Sequence, residues 1–384
     1  MGCCGSSSAN DPEIQQVSRR RLSVGHVDDN SEGATGDGTE DDRGLITALS
    51  QQNLMEMLKD DSALGGRKFS IGSATDQQKT SFANKKIDSI GDEVDPTTLG
   101  LGHTCRKGLK PESPNQDSWS VMSVDGSFSI YGVYDGHGQK GHDVSNFVKE
   151  NLPKLIVRDQ RFKTAEMAPM LKDIFKKMQS LIATQDRMNK LNAQMSGTTA
   201  TIVIHDHLEQ KFTIAHVADS TAVLGKKRGN EFDGLALTRD HKPDLKDERA
   251  RIEKAGGRVV FDGYANHRVY AKNGRYPGLN MSRCLGDLLG HADAGCSAEP
   301  EVSEHVISPE DYALLLCSDG VWEFITPPEA IRIVATLPRS QAMVAADKLA
   351  KEAWDRWIKE EGGTVVDDIT VVLVHLQGGQ KLLT

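Results

Sequence analysis

An aspartate stands where an apolar strand runs out, and the arrangement recurs along the chain. In Ser129-Ile-Tyr-Gly-Val-Tyr-Asp135-Gly-His-Gly138, β-branched and aromatic residues read as a buried strand that stops at Asp135. Gly136 and Gly138 leave bare backbone beside a carboxylate and the His137 imidazole. An acid at a strand tip next to open carbonyls suits a hard cation bound by oxygens. A turn whose Asp caps the following helix is the competing reading. That helix, expected over 142–156, carries Val144, Phe147, Val148, Leu152 and Leu155 on one face.

Three further strands carry acids at their ends. Asp219 follows the run 211–218, Asp319 follows 312–317, and Asp367 and Asp368 precede the last strand. Asp117 enters the strand 118–124, and Asp125-Gly126 reads as the hairpin turn joining it to the strand that ends at Asp135. A single strand-end Asp usually forms a turn. Four gathered unpaired would repel one another. Divalent cations remove that cost, and carboxylate, carbonyl and water ligands select Mg²⁺ or Mn²⁺ over Zn²⁺. Convergence of these acids in space is the expectation. Gly136-His-Gly138-Gln-Lys-Gly141, with Asp159 downstream, also satisfies a dinucleotide-binding pattern. That reading fails because Asp135 would face the pyrophosphate and no apolar second strand leads into Asp159.

A net charge of -9 over 384 residues argues against nucleic acid as a partner. No apolar run reaches the roughly 18 residues that a membrane span needs. The six cysteines lack metal-site spacing and there is no secretory apolar segment, so a cytoplasmic setting is expected. Met1-Gly-Cys-Cys-Gly-Ser6 matches the N-myristoylation pattern at Gly2. One myristoyl chain anchors only marginally, and S-acylation of Cys3 and Cys4 would supply the second anchor. The expectation is a lipid-anchored peripheral protein on a cytosolic membrane face; a Gly/Ser tail that matches by chance is the alternative.

Residues 1–95 read as a mostly disordered regulatory and anchoring extension, poor in aromatics and rich in Ser, Gly, Asp and Gln. A short amphipathic helix is expected at 44–60, docked on a partner or on the folded domain, or left unbound. Arg20-Arg-Leu-Ser23 and Arg67-Lys-Phe-Ser70 place basic residues ahead of a serine, which makes Ser23 and Ser70 candidates for a basophilic kinase. Residues 96–384 read as one globular domain.

Several motifs resemble, in order, those of the metal-dependent Ser/Thr protein phosphatases of type 2C. They are Tyr134-Asp-Gly-His-Gly138, Ser196-Gly-Thr-Thr-Ala200, Ala218-Asp-Ser220 and Asp240-His-Lys-Pro243. Met281-Ser-Arg-Cys-Leu-Gly-Asp287, Glu299-Pro-Glu301, Cys317-Ser-Asp-Gly-Val-Trp322 and Asp367-Asp-Ile-Thr370 complete the series. The resemblance implies an α+β fold with four α/β/β/α layers, a central antiparallel β-sandwich flanked by helix pairs. It also implies two Mg²⁺ or Mn²⁺ ions at one end of the sandwich, and a weaker third.

Carried over by resemblance, Asp135 bridges the two metals, Gly136 offers its carbonyl, and Asp319 and Asp367 complete one site. Asp117 holds metal-bound waters, Asp219 serves the third metal with Asp319, and His137 is the general acid. Arg283 and Asp287 are expected to fix the flap and its packing. The implied reaction is hydrolysis of phosphoserine or phosphothreonine proteins by direct attack of a metal-bridging hydroxide, in a monomeric signalling enzyme. Four positions depart from the family pattern. Glu112 replaces its phosphate-binding Arg, leaving Lys110 as substitute with Arg106 and Lys107 in reserve. Gln116, Thr221 and Asp368 stand where an acid, an Arg and an Asn are usual. The alternative to an active phosphatase is a catalytically weak adaptor that binds phosphoproteins on the same fold.

Overall fold

The computed structural model describes residues 40–58, 66–110 and 113–376. The long apolar strands are buried along their whole length because both of their faces are covered. Along Ser118–Val124 the side chains alternate: Trp119 and Val121 face one core, Met122 and Val124 another. Phe128–Tyr134 repeats this, with Tyr131 and Val133 on the first side and Phe128, Ile130 and Tyr134 on the second. The period-2 pleat therefore requires a layer on each side.

Two antiparallel sheets supply the inner layers. The first has seven strands, in the spatial order Glu301–Val306, Lys211–Val217, Ala200–Asp206, Phe128–Tyr134, Ser118–Val124, Lys68–Ser73 and Ile87–Gly91. The second has five: Glu231–Ala236, Thr221–Arg228, Asp311–Cys317, Ile369–His375 and Leu101–Arg106. Trp119, Val133, Val203 and Ile214 from one sheet meet Leu224, Leu314, Leu316 and Val372 from the other. Burial of each such side chain stabilises by about 2 kcal/mol. Helices Gly141–Arg158 and Met167–Arg187 cover the outer face of the first sheet, and Pro327–Val334 and Ala342–Glu360 that of the second. The result is the α/β/β/α arrangement.

Two helices, Glu40–Gln51 and Leu54–Met57, lie against the first helix pair. Leu49, Leu54 and Leu58 join its core, and Asp42 is held by Lys177 at 2.6 Å and Ser180 at 2.5 Å. The expected disordered extension does not continue to residue 95. Lys68–Ser73 pairs with Ser118–Val124 on one side and Ile87–Gly91 on the other. One buried aromatic, Phe69, and part-buried Ile71 anchor the strand in the inter-sheet core, too few apolar residues to stand out in composition. Ser70 is accordingly not in a flexible tail. Its backbone sits opposite Ile90 and Met122, and a kinase would have to peel the strand from the sheet to reach it, so Ser70 does not fit the expected phosphorylation site. Gly2, Cys3, Cys4 and Ser23 lie outside the described residues. No helix among those described is long and apolar enough to cross a membrane.

Candidate metal centre

Strand register brings the acids to one rim. Ser118 sits opposite Tyr134, which puts Asp117 and Asp135 at the same end of the first sheet. Ala200 opposite Val217 brings Asp219 to that end as well. In the second sheet Thr221 faces Cys317 and Cys317 faces Val371, so Asp219, Asp319 and Asp367 share an edge. Hydroxyls then stitch the two rims together: Ser318 Oγ and Thr370 Oγ1 each donate to Asp117 Oδ2 at 2.7 Å. Thr199 Oγ1 and Ser220 Oγ meet at 2.7 Å, and the Thr199 N–H donates to the Asp135 carbonyl at 2.8 Å.

Asp117 is fully buried, and its Oδ1 has no hydrogen-bond partner. Burial, with Asp368 adjacent, pushes its pKa up to about 7 against the two hydroxyl donors. An orphaned carboxylate oxygen among acids whose charge is unfavourable is the environment a cation relieves. Donors at this rim are oxygens, from Asp117, Asp135, Asp319, Asp367 and the Gly136 carbonyl, which fits Mg²⁺ or Mn²⁺. Ammonium groups enter the same cluster. Lys110 Nζ lies 2.6 Å from Asp367 Oδ1, and Lys242 Nζ contacts Asp219 Oδ2. Burial opposes the Lys110 charge, but Asp367, Asp368 and Asp135 outweigh it and raise its pKa.

His137 reaches the rim through a short ribbon. His137 pairs with Gly197, and Gly197 pairs with Gly286, which carries Asp287 to the imidazole. His137 Nε2 and Asp287 Oδ2 are 2.5 Å apart. A Cβ on residue 197 would stand 2.1 Å from Asp287 Oδ2, so the contact requires glycine there. Asp287 was expected to serve packing alone; it is also the partner of the candidate acid. Its place at the end of the Arg283–Asp287 motif was legible, its target was not. Arg283 does have the structural role expected of it, holding Glu248 at 2.6 Å and the Glu299 carbonyl at 2.9 Å.

The departing positions find other work. Asp368 accepts the Gly108 and Gln116 N–H groups, each at 2.7 Å, and so ties two loops together. Gln116 Nε2 donates to the Gly138 carbonyl at 2.7 Å, bracing the turn after His137. Thr221 Oγ1 donates to Asp240 at 3.1 Å. The two reserves are already engaged, Lys107 with its Nζ 3.8 Å from Asp368 Oδ1. Arg106 pairs with Asp347 at 2.7 Å, and Lys107 is buried, donating to the Lys110 carbonyl at 2.9 Å. Glu112 lies outside the described residues.

Comparison with known proteins gives the family. The family model described as Protein phosphatase 2C matches residues 102–361. Probable protein phosphatase 2C 72 of Arabidopsis thaliana is 34% identical over 262 residues, covering 66% of this chain and 78% of the relative. Probable protein phosphatase 2C 48 of Oryza sativa subsp. japonica is 34% identical over 267 residues, covering 63% and 74%. Among solved structures, a serine-threonine phosphatase 2C from Toxoplasma gondii superposes with a TM-score of 0.59 at 20% identity, over 72% of this chain and 94% of that one. A C. elegans sex determining protein gives 0.60 at 23% identity, over 72% and 64%. These two likenesses show the fold. With a family model spanning most of the sequence and the acidic rim in place, the chain belongs to the protein phosphatase 2C family.

Proposed function

We propose that this chain hydrolyses phosphoserine and phosphothreonine in proteins, with a divalent-metal centre at the sandwich rim. The observation that carries the reading is the gathering of Asp117, Asp135, Asp219, Asp319 and Asp367 at one end of two sheets, beside His137. The protein phosphatase 2C family is metal-dependent, and Asp135, Gly136, Asp319 and Asp367 are the groups that would hold two ions, with Asp117 placed for their waters and Asp219 for a third. When bound, the ions supply Lewis acidity that activates water and offsets charge on the phosphoryl oxygens.

The protein's own groups do the rest. Lys110, drawn to the rim by Asp367, offers its ammonium to a substrate phosphate. His137 is part-exposed at the mouth and donates a proton to the departing serine or threonine oxygen. Asp287 holds the imidazole and stabilises its protonated form. Water is the direct nucleophile, so no covalent phosphoprotein intermediate forms. The comparisons lend no support to the adaptor alternative.

The N-terminal pattern adds a place of action: acylation at Gly2, with Cys3 and Cys4, would hold the phosphatase at a cytosolic membrane surface. Gly2→Ala would release it to the soluble fraction. The enzymatic reading is tested with p-nitrophenyl phosphate and with phosphoserine and phosphothreonine peptides, each with Mn²⁺ and with chelator. Mn²⁺-dependent release of phosphate that Asp135→Ala abolishes supports it. Absence of turnover in the wild type overturns it.

A further inference from the structure

The stretch matched by the family begins at residue 102, yet a side chain from before it lies directly behind the rim. Residues 82–85 run along the free edge of the second sheet. The Phe82 N–H donates to the Lys107 carbonyl at 2.7 Å, the Lys107 N–H to the Ala83 carbonyl at 3.0 Å, and the Lys85 N–H to the Cys105 carbonyl at 2.9 Å. Asn84 Oδ1 accepts the Cys105 N–H at 2.9 Å. This pairing leads Lys85 inward, where it is 4% exposed. Its Nζ donates to the Asp117 carbonyl at 2.6 Å and reaches the Asn115 carbonyl at 3.3 Å and Ser118 Oγ at 3.5 Å.

The neighbouring backbone explains why a cation is needed there. The Gln116 carbonyl is satisfied by Ser145 Oγ at 2.6 Å, but those of Asn115 and Asp117 turn away from the sheet ladder. Lys85 collects both and also reaches Ser118 Oγ, which uses the three donors of one ammonium. The turn so held is the one that aims the Asp117 carboxylate, with its orphaned Oδ1, into the acidic cluster. Lys154 Nζ also bonds a carbonyl, that of Leu49, but on the outer helices, far from any acid of the rim.

We propose that Lys85 is a positioning residue for Asp117, so that the segment ahead of the shared domain sets the affinity of the site for its divalent ion. This rests on the metal-centre reading above. The test is direct Mn²⁺ binding to the full chain by calorimetry, beside kcat and KM for a phosphopeptide and a thermal melt. Lys85→Met is expected to weaken Mn²⁺ binding about tenfold and to raise the Mn²⁺ needed for half-maximal rate by the same factor, with KM unchanged. Lys85→Gln, which keeps a donor, is expected to recover most of that loss; Lys85→Leu, which has none, stands in if the Met variant fails to fold. Wild-type Mn²⁺ affinity in folded Lys85→Met or Lys85→Leu overturns the proposal, even where the melting temperature has dropped. Asp117→Asn separates the two layers: if it binds Mn²⁺ as the wild type does, the role given to Asp117 fails instead, and the proposal with it.

Discussion

His137 and Asp287, 150 residues apart in the chain, form a hydrogen-bonded pair at the mouth of the acidic rim. The pair exists because two glycines, Gly197 and Gly286, let three strands of two residues each pass edge to edge. An imidazole that must give up a proton benefits from a carboxylate that fixes its orientation and favours its charged form.

Asp287→Asn keeps the shape of the side chain and removes its charge. Turnover should fall roughly 10²-fold, with Mn²⁺ affinity and KM near wild type. If the two residues act as a unit, the double variant with His137→Ala will be no slower than His137→Ala alone. Additive losses in that cycle would separate their roles.

Asp135 and Asp319 make a different prediction. Loss of either carboxylate, as in Asp135→Ala or Asp319→Asn, should remove Mn²⁺ binding and phosphate release together, read by calorimetry and by aryl phosphate hydrolysis. His137→Ala should instead slow turnover while Mn²⁺ still binds.

Lys110 is paired with Asp367 at 2.6 Å. In the role proposed for it, meeting the substrate phosphate, it should matter for binding before chemistry. Lys110→Ala is expected to raise KM for a phosphopeptide about tenfold, the worth of one charge-assisted hydrogen bond. Steady-state kinetics at saturating Mn²⁺ would show it; a fall in kcat alone would place Lys110 elsewhere in the mechanism.

Glu248, on the helix Lys246–Lys254, anchors the segment that carries Ser282 and Arg283. Its buried carboxylate takes Arg283 at 2.6 Å, Arg251 at 2.7 Å and Ser282 at 2.6 Å. Burial alone would raise its pKa; the two guanidiniums and the hydroxyl outweigh it and hold the group well below its usual 4.5. A depressed folded-state pKa stabilises above the unfolded value and is lost as pH falls towards the folded one. Glu248→Gln should therefore cost roughly 2 kcal/mol in urea unfolding near neutral pH, because it leaves two part-buried guanidiniums facing a neutral amide. The gap to wild type should hold down to about pH 4.5 and narrow below it.

What could be read from residues alone followed the local patterns. Asp135, Gly136 and His137 are contiguous and end a strand whose composition is unmistakable, and the strands ending at Asp219 and Asp319 repeat the pattern. The sandwich followed from the family resemblance, and alternation along Ser118–Val124 agrees with it. The rest depended on pairing. Asp287 finds its imidazole through two-residue strands, which have no periodicity to detect. Lys68–Ser73 and Ile87–Gly91 were hidden because the second of them is exposed along its whole length and so looks like tail. Lys85, between them, belongs to no motif or periodic run; only the edge of the second sheet places it behind Asp117.

The Lys68–Ser73 strand covers Ser118–Val124, which would otherwise be the last of its sheet. A chain shortened to the part shared with its relatives would lay that flank open, with a row of unsated amides and carbonyls beside Trp119. Such a surface recruits strands from other molecules. The segment ahead of the family stretch thus decides which strand ends the first sheet, and shortening the protein from its front end moves that edge from Ile87–Gly91 to the more apolar Ser118–Val124 before it reaches a single acid of the centre.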